Sequence, residues 1–172
     1  MAKIFILLGL HHSGKSKTMN ILYGVRRWTR PFMKVKTINR LPVFAVYNSS
    51  PQEKCKHNYP PREGHNTCTL ECVMRDVNQR LNSCIEKQQN QEFGLLLPFT
   101  MLLKGQNQLE CICNPINQLK QAHKVYIIFL KRRESEYPNC ISQNDIMRTI
   151  ESHKDGEESQ ANQLEETIAS YA

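Results

Sequence analysis

Residues 9–16 read GLHHSGKS. A glycine, four variable positions and then Gly-Lys-Ser is the pattern a phosphate cradle needs. Gly9 lets the chain end a strand and turn tightly. Backbone N–H groups from about His12 to Ser16 then converge on one concavity that accepts an anion. Gly14 lets the backbone approach phosphate oxygens with no Cβ in the way. Lys15 reaches the β- and γ-phosphates as a point charge. Ser16 offers its hydroxyl to Mg²⁺, which keeps waters and substrate oxygens as its other ligands. A helix beginning here aims its positive dipole end at the same phosphates. Gly9, His12, Ser13, Gly14, Lys15, Ser16 and Lys17 form the expected nucleotide-binding set.

Other residues carry chemistry of their own. His11 and His12 can donate to phosphate or to an acceptor hydroxyl; the plainer reading is that they tolerate the turn and face solvent. Glu53 is the best carboxylate near the strand end at residues 48–50, as a base or as an orienter of Mg²⁺, or simply an exposed loop acid. Arg26, Arg27, Trp28 and Arg30 form a basic cluster whose aromatic ring can stack on a base or enter the core. Cys55, His57, His65, Cys68 and Cys72 are zinc-ligand types, and Cys68 and Cys72 share a helix face at i and i+4. A structural zinc on Cys55, His57, Cys68 and Cys72 is therefore open, although the spacing matches no standard finger.

The segment 3–24 resembles the Walker A region of P-loop NTPases, and most closely the nucleoside- and nucleotide-kinase-like members, where Ser often precedes the second Gly as Ser13 does here. That resemblance implies ATP and Mg²⁺ as cofactors and phosphoryl transfer as the reaction. It also implies lid arginines after a late strand, which Arg132 and Arg133 match by closing over the transferred group and neutralising charge as the bond breaks. The chain departs from the pattern in two ways. His12 stands where Gly is common. The Asp usually found at the end of a neighbouring strand has no counterpart: Asp76 falls in mid-helix, and Asp145 and Asp155 come late. The strand ends offer Asn48, Ser49, Ser50, Thr100 and Lys131 instead. Neither D-x-x-G nor N-K-x-D occurs, which argues against a guanine-specific switch.

The elements that must hold these residues follow from periodicity. KIFILLG (3–9) reads as a buried strand and SGKSKTMNILYG as a helix ending near Gly24. RRWTRPF is a basic connector. FMKVKTI and PVFAVYN read as two strands joined by a link short enough for an antiparallel hairpin over 33–48. A loop of roughly twenty residues follows, and it is expected to help form an acceptor pocket. Residues 67–89 carry a 3-4 apolar stripe and predict the clearest helix, capped by Thr67 or Thr69. FGLLLPFTMLL predicts a strand stopped at Pro98. NQLECICNPINQLKQAH predicts a helix interrupted at Pro115, KVYIIFLKR a buried strand, and SQNDIMRTIESH and ANQLEETIASYA two final helices. This alternation implies an α/β fold whose central sheet is mostly parallel and covered by helices on both faces. The resemblance implies that it is a three-layer P-loop NTPase-like domain over 1–172, with 154–172 an acidic helical tail.

Composition sets the outer bounds. The chain has 172 residues, 40% hydrophobic and 23% charged, a globular profile. No apolar run is long enough for a membrane span, and no export signal is evident, so the expectation is a cytoplasmic protein with no membrane partner. Seven cysteines, an odd number, argue against a disulfide framework and for small buried hydrophobes. The net charge of +7 is uneven. Residues 1–50 hold nine Lys or Arg and no acid, whereas residues 151–172 hold six acids against Lys154. The basic third suits an anionic partner: nucleotide, nucleic acid or the acidic tail itself. The functional expectation is an ATP/Mg²⁺-binding phosphotransferase for a small or nucleic-acid-linked acceptor. The alternatives are a nucleotide-gated binding module with little turnover and a nucleic-acid-binding ATPase; a homo-oligomer remains open.

Overall fold

The computed structural model describes residues 1–55, 68–101, 108–132, 135–152 and 156–172. Strand β1 (Lys3–Leu10) is the centre of the molecule. Ile4, Phe5, Ile6, Leu7 and Leu8 are all solvent-inaccessible, as a continuous apolar run requires. Each such burial contributes about 2 kcal/mol of transfer free energy. The others are β2 (Lys34–Ile38), β3 (Leu41–Ala45), β4 (Gly94–Met101), β5 (Lys124–Lys131) and β6 (Ile146–Glu151). They form one sheet in the order β2-β3-β4-β1-β5-β6. All neighbours are parallel except β2 and β3, which form the expected hairpin. Its two-residue turn, Asn39 and Arg40, has both residues at positive φ (46° and 69°), the mirror-image turn that matches strand twist.

Helices cover both faces: α1 (Lys15–Leu22), α2 (Pro51–Lys54), α3 (Leu70–Gln88), α4 (Asn114–Ala122) and α5 (Gly156–Tyr171). Strand pleating separates two cores. Ile4, Ile6 and Leu8 pack with Val73, Val77, Leu81, Ile116 and Leu119 of α3 and α4. Phe5 and Leu7 pack with Met19 and Leu22 of α1 and Leu164 and Ile168 of α5. The long helix is capped as its sequence predicts: Thr69 accepts from the Cys72 N–H. It also buries Arg80, whose Nε lies 2.6 Å from Asp76 and whose guanidinium sits 5.3 Å from the Tyr47 ring centroid. Burial pushes the Arg80 pKa down, opposed by Asp76.

Several expectations need correction. Pro98 does not stop β4; it lies inside it, paired with Leu7. β3 meets β4 only at Val43–Gly94 and Phe44–Leu95, so at Pro98 the strand has a ladder neighbour on one side and the missing N–H is tolerated as at an edge. Residues 142–152 are not a helix. Gln143–Asp145 form one 3-10 turn, and Ile146–Glu151 form the edge strand β6 beside β5. Pro115 does not end its helix: a π-helical stretch, Leu109–Cys113, runs directly into α4 at Asn114, and the change of helix type falls just before the residue that lacks an N–H. The acidic C-terminal segment is helical, as its sequence predicts, and α5 buries Ala161, Leu164 and Ile168.

The cysteines also differ from expectation. Cys55 pairs with Cys72 and Cys113 with Cys140 as disulfides, with Cα separations of 6.0 and 6.1 Å. Cys68, Cys84 and Cys111 belong to neither disulfide and are buried. Among the described residues, no helix is long and apolar enough to cross a membrane.

Candidate phosphate-binding site

The central position of β1 dictates where a ligand can sit. From β1 the chain runs through α1 to β2, β3 and β4 on one side of it, and from β4 it crosses back over to β5 and β6 on the other. The crevice beyond the carboxyl end of such a strand is where open α/β sheets receive ligands. Residues 11–14 make the turn there, and α1 starts at Lys15.

The local sequence explains the turn. Ser13 N–H donates to Leu10 O at 3.1 Å. His12 has φ 61° and Gly14 φ 91°, left-handed conformations that reverse the chain. Gly14 also caps α1 without a side chain, and the first turn contains no acid. The first α1 hydrogen bond runs from Thr18 N to Gly14 O. The amides of Lys15, Ser16 and Lys17 precede it, and their residues line the cavity, which encloses about 380 Å³. That size suits a small ligand. Gly9 acts differently from expectation. It lies within β1, paired with Thr100 and Leu130, not at its end. A Cβ there would come within 2.6 Å of Ser13 Oγ and 3.1 Å of Leu130 O. The position demands glycine for space.

Lys15 is 6% exposed. Its ammonium donates to Gly9 O (2.9 Å), Leu10 O (2.6 Å) and Ser13 Oγ (3.3 Å). Burial lowers its pKa to about 8, with the charge of Glu53 acting the other way. Ser16 Oγ donates to Asn48 O at 3.0 Å, joining α1 to the end of β3. Lys17 is exposed and lies 3.9 Å from Glu157.

Glu53 is brought to the cradle. It belongs to α2, whose start is fixed by Ser50 capping the Glu53 N–H. Its carboxylate lies 3.5 Å from His11 Nδ1 and accepts from Thr100 Oγ1 at 3.4 Å. Thr100 Oγ1 also lies 2.9 Å from Ser50 Oγ, a hydrogen bond between the two hydroxyls. Thr100 is beside Gly9 in register, so the strand-end position next to the cradle holds a hydroxyl, and the carboxylate comes from the neighbouring helix. Gln52 fastens α2 from below: its amide oxygen accepts from Thr100 N and its nitrogen donates to Cys111 O. His11 and His12 stack edge to face, 3.8 Å between centroids.

Arg132, at the end of β5, donates to His12 O at 3.0 Å and so reaches the turn. Arg133 lies outside the described residues. Of the zinc candidates, His57 also lies outside them, and Cys55 and Cys72 are bonded to each other. Cys68 is instead near Cys111, whose thiol donates to Cys68 O. Among the described residues no group of three or more His, Cys, Asp or Glu is arranged to hold a metal ion. Two contributors escaped the sequence reading. Glu157 lines the cavity from α5. Gln160 of the same helix accepts from Thr18 Oγ1 at 2.9 Å and donates to Ser152 O at 2.6 Å. Neither carries a local signal, because a helix far along the chain delivers both. Comparison with protein-family models, curated proteins and solved structures finds no match to this chain.

Proposed function

We propose that this chain is a P-loop-type nucleotide-binding protein that takes the polyphosphate of ATP with Mg²⁺ and transfers a phosphoryl group to an acceptor. The observation that carries the reading is Lys15, a buried ammonium at the mouth of an uncapped, acid-free helix start that opens on a cavity. A buried cation in that setting favours a polyanion. The central strand position and mostly parallel sheet agree with the P-loop fold.

The donor set fits the proposed ligands. The amides of Lys15–Lys17 and the Lys15 ammonium suit phosphate oxygens, and the Ser16 hydroxyl suits Mg²⁺. When bound, Mg²⁺ supplies charge neutralisation between neighbouring phosphates. The chain's own residues do the rest. Lys15 holds phosphate oxygens, Arg132 neutralises charge on the transferred group, and Glu53 accepts the proton of the attacking hydroxyl. The α2 capping bonds hold Glu53 in place for that step.

A second reading has its own support: a nucleotide-gated module with little turnover. Thr100, not a carboxylate, occupies the β4 position beside Gly9. Calorimetry with a non-hydrolysable ATP analogue and Mg²⁺ tests the binding step. Micromolar binding that is lost in Lys15→Ala is expected, and no binding by the wild-type chain overturns both readings. Turnover with a hydroxyl-acceptor panel then separates the two.

A further inference from the structure

The connector between α1 and β2 and the first half of β2 carry Arg26, Arg27, Trp28, Arg30, Phe32 and Lys34 without a single carboxylate. Arg26, Arg27 and Arg30 are exposed. Lys34 is held in place by the carbonyls of Thr29 and Pro31. Among the described residues none of these four cations is ion-paired, whereas the next one, Lys36, is bound to Glu165 at 2.7 Å. Aromatic rings alternate with the charges. Phe32 is 37% exposed, with the Arg30 guanidinium 5.9 Å from its centroid and the Tyr47 ring 5.3 Å away. The Trp28 indole donates to Phe32 O at 2.7 Å, which ties the two aromatic positions together.

Charge alone would suit any polyanion. Rings set between the cations narrow the choice. A single-stranded polynucleotide offers a phosphate for each cation and an unstacked base for each ring face. A duplex keeps its bases stacked on one another and leaves the rings unused.

A hydrogen-bond chain connects this surface to the cradle. Ser16 Oγ donates to Asn48 O at 3.0 Å, Asn48 Nδ2 to Asn20 Oδ1 at 3.0 Å, and Asn20 Nδ2 to Arg26 O at 3.5 Å. The residue suited to Mg²⁺ is thus three hydrogen bonds from the first cation of the surface. A metal takes a lone pair of the Ser16 oxygen and leaves its proton on Asn48 O, so a Ser16 drawn toward a metal pulls on Asn48 and alters the restraint on residue 26.

We propose that residues 26–34 bind single-stranded nucleic acid, and that the Ser16–Asn48–Asn20–Arg26 chain couples that binding to the cradle. The coupling rests on the nucleotide-binding reading above; the surface does not.

Fluorescence anisotropy with labelled 20-nucleotide oligo(dT) and oligo(U), without nucleotide, tests the surface. Four phosphate contacts at roughly 0.7 each give a slope of log K against log salt near −3, or about a fifty-fold loss between 50 and 200 mM salt. The triple variant Arg26→Ala/Arg27→Ala/Arg30→Ala should bind at least tenfold more weakly with a shallower slope. Phe32→Ala should lose about tenfold with the slope unchanged, because it removes stacking and not charge. Both variants alter exposed side chains, and circular dichroism should show the wild-type fold. No oligonucleotide binding, or binding insensitive to Phe32→Ala, overturns the proposal. So does binding to phosphatidylserine vesicles or an acidic peptide in place of the oligonucleotide.

The coupling is read by repeating the titration with saturating ATP analogue and Mg²⁺. A several-fold change in oligonucleotide affinity is expected in the wild type and not in Asn20→Ala. Unchanged affinity with nucleotide bound overturns the coupling alone. A protein that binds oligonucleotide but no nucleotide overturns the cradle reading, and the coupling with it, and leaves the surface standing.

Discussion

Ser16 Oγ donates a 3.0 Å hydrogen bond to the backbone carbonyl of Asn48. The hydroxyl suited to Mg²⁺ is therefore engaged with the end of β3 in this state. A metal would take a lone pair of that oxygen while the proton stays on Asn48 O, so the two contacts are compatible. Ser16→Ala should weaken Mg²⁺-dependent binding of an ATP analogue at least about tenfold, roughly 1.4 kcal/mol. Binding measured in EDTA should change much less. Calorimetry with and without Mg²⁺ reads the difference.

Lys15 predicts a pH dependence. Burial lowers its pKa to about 8 in the unliganded protein. Nearby phosphate favours the charged form and raises that value. Below pH 8 the amine is protonated with or without ligand, so this group leaves affinity flat. Above pH 8 the free protein loses the proton while the complex retains it, and affinity should fall up to about tenfold per pH unit. Binding should take up protons there, which calorimetry in buffers of different ionisation enthalpy detects. Lys15→Arg should remove the dependence, since a guanidinium stays charged.

Glu53 predicts a split between turnover and binding. It sits between His11 and Thr100, beside Lys15. Glu53→Gln keeps the shape and removes the base. If the chain transfers phosphoryl groups, kcat should fall about 100-fold with KM little changed. A turnover rate unaltered by the substitution would assign Glu53 to structure alone.

The Cys55–Cys72 disulfide joins the end of α2 to the first turn of α3 across a separation of 17 residues. A link closing a loop of that length stabilises by about 3 kcal/mol. Cys55→Ser/Cys72→Ser should lower the melting temperature, and peptide mapping without reductant should recover residues 55 and 72 in one linked fragment. The variant should also loosen α2, visible as faster amide exchange at Glu53.

The strand, turn and helix around residues 9–16 were legible because their signal is local. Strand, turn, glycine and helix start fall within residues 3–24, and the apolar stripe of α3 was readable for the same reason. What was missed depends on partners far along the chain. IMRTIE lacks a long apolar run and follows the helix-like SQND, so only its pairing with β5 makes it a strand. Pro98 looked like a stop because nothing local reveals that β3 ends its pairing two residues into β4. The disulfides span separations of 17 and 27 residues, which cysteine counting does not resolve. Glu53 was a nearby acid on paper; its approach to Thr100 comes from α2, a single helical turn that no periodicity shows.

Gln160 has one more implication. Its side-chain oxygen receives the Thr18 hydroxyl while its nitrogen reaches Ser152 O, and the oxygen sits 3.4 Å from where a Gly14 Cβ would be. A primary amide is two-handed, accepting on one side and donating on the other. A carboxylate of the same shape has lost one hand, and a hydrocarbon both. The last helix therefore works as a keystone, its polarity matched to the turn and to the end of β6 at once.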